Sequence, residues 1–232
     1  MHPYDHARSS ARTHGGVWQD YLALHSWFDA TKSLLFRFTH RALRHHIEGV
    51  AETMAIFGPA IRNSVGTSVP TEVLGMQHLE EDCRYLPEAS EWLVEFDRPD
   101  WMPTQLPSDD ELAKESAARF GGAPSLYLPL HRWFLATADW CVGAEHLVFR
   151  HHAFGVFEAE ARFGPVIDLG EGRAAPTRVV AERHVQTVLG RVPPATEFLR
   201  RIRGERWMLQ ATSPQKLDLD EPARGIVQGA GR

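Results

Sequence analysis

The chain has only 2 cysteines in 232 residues. Cys83 and Cys141 fall at unmatched places in the repeat described below, so no disulfide framework is expected and a reduced, cytoplasmic setting fits. No apolar run approaches the roughly 20 residues that span a bilayer. The segment His2-Pro3-Tyr4-Asp5 has no basic stretch leading into an apolar one, so no signal peptide is expected. Positive charge is not in excess: the formal net charge is -5, which argues against a nucleic-acid partner. The Arg200, Arg201, Arg203 and Arg206 group reads as a solvated helix face. There is no Cys-x-x-Cys, no His-Glu-x-x-His, no phosphate-cradling glycine loop and no nucleophile elbow. These absences exclude the common zinc signatures, leave no nucleotide cofactor evident, and remove the usual serine-hydrolase reading.

What the chain does have is histidine, 13 residues in all, and an internal duplication. Shifted by 106 positions, residues 5–102 match 111–208 without a gap, with 36 identities in 98 positions. Unrelated segments agree at roughly 6% of positions. Tyr21-Leu22-Ala23-Leu24-His25-Ser26-Trp27-Phe28 falls on Tyr127-Leu128-Pro129-Leu130-His131-Arg132-Trp133-Phe134, and Arg44-His45-His46 falls on Arg150-His151-His152. The expected organisation is a first His-rich repeat over 1–102, a Pro-, Ser- and Asp-rich linker over 103–110, a second repeat over 111–212 and a loose tail over 213–232. Related copies of equal size pair about a pseudo-two-fold axis, an intramolecular version of a dimer.

Periodicity and breakers predict a mainly α protein: two tandem units of about five helices, each with at most a small β-hairpin. A first helix runs over 5–13 to Gly15-Gly16, a second over 20–35, and a longer one over 40–57 that Gly58-Pro59 stops. A hairpin or loop follows over 61–69. Thr71 is placed to cap a helix through Arg84, and Pro87 to open a last one through Phe96. Gly49 and Gly155 then sit inside the long helix, where glycine points to close packing or room for a ligand.

Ten histidines form five matched pairs: His25/His131, His40/His146, His45/His151, His46/His152 and His78/His184. Neutral imidazole is the commonest transition-metal ligand, and histidines from several helices can converge in a bundle. All ten are therefore candidate ligands for zinc, iron or manganese, with His25, His40 or His46, and His78 as the converging set. Matched Glu52 and Glu158 are candidate ligands, orienters or general bases. Arg44 and Arg150 are candidates for holding a substrate anion or pairing with those glutamates. On a continuous helix His40 and His46 border the buried face, while His45 points about 140° away from His40, on the side of Glu52.

The copies differ in their carboxylates: Asp29 becomes Leu135, Met54 becomes Glu160 and Asp82 becomes Val188. Two metal sites, if present, need not be equivalent. The functional expectation is a soluble metalloprotein acting as an enzyme on a small molecule, with hydrolysis favoured over oxygen chemistry because no redox-partner motif is visible. The alternative is an interaction or scaffold protein whose histidines make structural hydrogen bonds.

The first copy resembles a group of small bacterial and phage-associated proteins known only as a domain of unknown function. The residues that carry this are His2-Pro3-Tyr4-Asp5-His6-Ala7-Arg8-Ser9-Ser10, Tyr21 to Asp29, His40-Arg41-Ala42-Leu43-Arg44-His45-His46-Ile47-Glu48-Gly49, Gln77-His78 and Trp101-Met102. The second copy departs from it where His6 becomes Leu112 and Glu48 becomes Phe154. The resemblance implies single units elsewhere and a fused pair here; it implies no activity.

Overall fold

A computed structural model describes residues 1–217, so most of the tail read over 213–232 lies outside the described residues. The protein is mainly α, as the periodicity predicts. The first repeat contains α1 (Pro3–His14), α2 (Gln19–Asp29), α3 (Ile47–Phe57), an antiparallel hairpin of β1 (Ala60–Arg62) and β2 (Ser68–Pro70), and α4 (Thr71–Cys83). The second repeats the plan with α5 (Asp109–Phe120), α6 (Leu128–Leu135), α7 (Ala153–Phe163), β3 (Val166–Gly170), β4 (Arg173–Pro176) and α8 (Thr177–Leu189), and adds α9 (Ala195–Leu199). No helix of the described residues is long and apolar enough to cross a membrane, and Cys83 and Cys141 form no disulfide.

The chain forms two compact units whose composition crosses the repeat boundary. Of the described residues, unit 1 comprises 1–31, 44–87 and 206–217, and unit 2 comprises 32–43 and 88–205. Each unit is completed by the other repeat's terminal tryptophan. In unit 1 Trp207 stands edge-on to Tyr85 at 5.0 Å, and in unit 2 the Arg191 guanidinium lies 5.0 Å from the Trp101 ring centroid. Residues 85 and 191 are repeat equivalents, as are 101 and 207, so the exchange is reciprocal. In unit 1 α1 packs on α2, α3 on α4, and α4 also reaches α1 and α2. Ala7, Tyr21, Leu24, Phe28, Val50, Val69, Leu74 and Leu79 form its apolar core.

The long helix expected over 40–57 is two elements. A 3-10 helix covers Phe38–Leu43, the chain turns through Arg44-His45-His46, and α3 begins at Ile47. His46 is the reason. Its backbone is extended (φ -150°, ψ 164°) and its Nδ1 accepts from the Gly49 amide at 3.0 Å, an N-cap bond made by an imidazole. His152 caps α7 through the Gly155 amide at 2.9 Å. A wheel drawn through this turn is invalid, and His45, expected to point outward, is fully buried. Thr71 is likewise not a cap: it is the first residue of α4, and Pro70 holds the cap position.

The cap turn explains the glycines. A Cβ on Gly49 would lie 2.0 Å from the Arg44 carbonyl oxygen, and one on Gly155 would lie 1.9 Å from that of Arg150. The close approach is to the residue's own preceding turn, not to a neighbouring helix or a ligand. Gly49→Ala should therefore destabilise the fold by about 3 kcal/mol, at the upper end of overpacking effects. A urea unfolding midpoint unchanged from wild type would refute this.

Candidate metal centre

Four elements of unit 1 bring a polar cluster into the apolar core. His6 and Ser10 stand one turn apart on α1, His25 and Asp29 one turn apart on α2, and His78 and Asp82 one turn apart on α4. His45 comes from the turn before α3. The i,i+4 spacing places each pair on one helix face. Phe28 stacks on His78 at 4.6 Å between centroids and 15° between planes, so one face of the central imidazole is apolar. His6, His25, His45, His78 and Asp82 are 0% exposed and Asp29 is 4% exposed.

The three matched histidines form a relay. Ser10 Oγ lies 2.8 Å from His25 Nε2, His25 Nδ1 lies 3.0 Å from His78 Nδ1, and His78 Nε2 lies 3.1 Å from His45 Nε2. His78 thus uses its two nitrogens in opposite directions, so the relay alone cannot close on one ion. Carboxylates close it. Asp82 Oδ2 lies 3.3 Å from His45 Nε2 and 4.0 Å from His78 Nε2, and Asp29 Oδ1 lies 3.7 Å from His45 Nε2. One ligand atom from each of Asp29, His45, His78 and Asp82 falls within 4.8 Å of all the others, and the same holds for His6, His25 and His78. With metal–ligand bonds of about 2.0–2.2 Å, ligand atoms around one four-coordinate ion stand about 3.4 Å apart. The N₂O₂ set is close to that spacing. Two buried carboxylates need compensating positive charge; the Met1 amine and His6 face Asp82 Oδ1, while Asp82 Oδ2 and Asp29 Oδ1 face the His45 and His78 nitrogens.

His6 sits beside this set. Its Nδ1 lies 2.5 Å from Glu81 Oε2, its Nε2 3.4 Å from Asp82 Oδ1, and its ring 4.0 Å from that of His78. The Met1 amine also donates to Asp82 Oδ1. Burial works against a charged imidazole at His6, but Asp82 and Glu81 outweigh it and raise its pKa above the ordinary histidine value. Burial pushes His25 and His78 well below that value, with the neighbouring His6 acting in the same direction. These two are neutral, the form in which imidazole ligates.

Unit 2 keeps the relay and loses its surroundings. Ser116 Oγ lies 2.9 Å from His131 Nε2, His131 Nδ1 2.8 Å from His184 Nδ1, and His184 Nε2 3.1 Å from His151 Nε2. Phe134 stacks on His184 at 4.4 Å. Leu112, Leu135 and Val188 stand where unit 1 has His6, Asp29 and Asp82. Among the described residues, every group close enough to hold an ion belongs to unit 1. The inequality of the two copies expected from their carboxylates is present in the geometry.

The other sequence candidates are placed elsewhere. His46 and His152 are the helix caps described above. His40 lies in the 3-10 helix Phe38–Leu43, which is part of unit 2 rather than of the unit 1 cluster. His146 Nδ1 lies 2.8 Å from Thr137 Oγ1 and its ring stands edge-on to His151. Arg44 stacks over the Trp27 ring at 4.2 Å and donates to the Trp27 carbonyl, and Arg150 does the same on Trp133 at 4.4 Å. Both guanidiniums are buried against indoles. Glu52 on α3 and Glu158 on α7 are half-buried and belong to neither ion-sized group. His6, Asp29 and Asp82 join the cluster without having been among the candidates, and the signal for the two aspartates was their spacing of four from His25 and His78.

The chain belongs to the family described as domain of unknown function (DUF6915), whose model matches residues 1–102 and again 110–208. The resemblance seen in the first copy thus extends to both. No curated protein and no solved structure matches the chain.

Proposed function

We propose that this tandem member of the family is a metalloprotein with one metal centre, in unit 1, and that the centre is hydrolytic. The observation that carries the reading is the closure of Asp29, His45, His78 and Asp82 on one ion-sized space, all four buried. Two imidazoles and two carboxylates suit a borderline divalent ion such as zinc, iron(II) or manganese(II). An ion with more than four positions would keep room for water, and would supply a hydroxide at neutral pH by lowering that water's pKa. The burial of the site restricts it to a small-molecule substrate. In unit 2 the relay without carboxylates favours a second reading for that copy alone: His131, His151 and His184 act there as hydrogen-bonded core residues.

Metal analysis of the full chain, purified without chelator or affinity tag, should find about one ion per chain. A content well below one that reconstitution with zinc, iron(II) or manganese(II) fails to raise would sink the metal reading. The loaded protein should turn over members of a panel of small esters, amides and phosphoesters. Metal-loaded protein inert on the whole panel would leave the centre without its hydrolytic role.

A further inference from the structure

We infer that Gln77 sets the proton polarity of the unit 1 relay and so turns the lone pair of His78 Nε2 toward the metal set; the metal part of this rests on the reading above. The Glu81 carboxylate only accepts hydrogen bonds. Gln77 Nε2 lies 2.8 Å from Glu81 Oε1 and 3.0 Å from Ser9 Oγ, and Ser9 Oγ donates to Glu81 Oε1 at 2.6 Å. The amide nitrogen of Gln77 therefore faces the carboxylate, which leaves its Oε1 to accept from Ser10 Oγ at 3.0 Å. Ser10 has one proton and commits it there. Its oxygen must then accept from His25 Nε2–H. A neutral imidazole carries one N–H, so His25 Nδ1 is a lone pair and accepts from His78 Nδ1–H. His78 Nε2 is left as a lone pair, which in the metal-free chain accepts from His45 Nε2–H and stands 4.0 Å from Asp82 Oδ2. This Nδ1-protonated form of His78 is the tautomer that ligation through Nε2 requires.

Unit 2 has no such anchor. Position 77 is matched by Arg183, a pure donor, paired with Glu115 at 2.6 Å. Among the described residues Ser116 Oγ meets only His131 Nε2, so its proton is available to that nitrogen. The two units thus share a relay and differ in what fixes its direction, and the fixed one is the one with carboxylates. Gln77 touches no ligand atom of the set and acts through Ser10 and His25; it is a positioning residue.

The test is nitrogen-15 NMR of the full chain, metal-free, with zinc(II) titration in parallel. Wild-type His78 should appear as the Nδ1-protonated tautomer. In Gln77→Ala the Ser10 proton is freed to turn toward His25, so the Nε2-protonated form of His78 should gain population. Zinc affinity should fall about 10- to 100-fold, the usual effect of removing an orienting partner behind a metal-bound histidine. Ser10→Ala, a smaller change, should shift the tautomer in the same sense and covers the case in which Gln77→Ala fails to fold. An Nε2-protonated His78 in the wild type, or variants that leave the tautomer unchanged whatever happens to affinity, would overturn the inference. The tautomer is read without metal, so a chain that takes no zinc still decides on the relay, while defeating the metal reading separately.

Discussion

Asp82→Asn is expected to abolish metal retention, weakening binding by more than 100-fold, while His184→Ala in the second unit leaves metal content unchanged. The contrast follows from geometry. His78 and His184 are equivalent in the duplication, equally buried, and equally engaged in a relay of three imidazoles. Only His78 has carboxylate oxygens within reach of the same nitrogen, and Asp82 Oδ2 is nearest to both His45 and His78. The asparagine keeps the shape and removes the charge. The variant should also lose metal-dependent stabilisation: an ion present at about a thousand times its dissociation constant adds about 4 kcal/mol to folding. Wild-type thermal stability should therefore rise on adding zinc, and that of Asp82→Asn should not. Equal metal loss from Asp82→Asn and His184→Ala would mean two equivalent sites and would contradict the assignment to unit 1. The converse change, Leu135→Asp with Val188→Asp, supplies the missing oxygens to a relay already in place.

The duplication was legible because both copies fold to one plan, and the matched histidines 25, 45 and 78 are the ones that meet. A matched position reports what both copies need, however. The residues that make one unit different are unmatched by construction, which is why matching does not single out His6, Asp29 and Asp82. Their i,i+4 spacing to Ser10, His25 and His78 was the stronger signal. His46 differs from its expected role for another reason. Imidazole is a rare N-cap, and without the usual Ser, Thr, Asp or Asn the helix start at Ile47 carried no mark. The helical wheel then ran through a turn, sending His45 outward when it is fully buried. Arg44 and Arg150 were matched for packing on Trp27 and Trp133, a contact between residues 17 apart that local periodicity does not register. The exchange of Trp101 and Trp207 between units was beyond reach because it depends on which copy each tail meets.

Acid should destabilise this protein from about pH 6.5 downward, beginning above the range in which free carboxylates titrate. His25, His78, His151 and His184 are held well below the ordinary histidine value, and His131 and His152 are pushed to about 4, in each case by burial first. Each is neutral when folded and takes a proton in the unfolded chain as pH drops below about 6.5, so the unfolded state binds more protons and stability falls with falling pH. The stability these residues contribute is complete above about 6.5 and drains away below it. At pH 5 the loss is about 2 kcal/mol for each of His131 and His152, and His25, His78, His151 and His184 add to it in the same direction, against a total of about 5–15 kcal/mol for an ordinary domain. His6 has the opposite sign: its raised pKa adds stability below about 6.5 that is lost as pH rises through its folded value, so it acts against the others. Bound metal adds to the drop, because His45 and His78 must be deprotonated to ligate and acid competes for both. Circular dichroism across pH 7 to 4 should show one cooperative loss of helix, at lower pH with saturating zinc than without. Native helix persisting at pH 4 in metal-free protein would show that the buried imidazoles accept protons in place, and that burial does not hold them neutral.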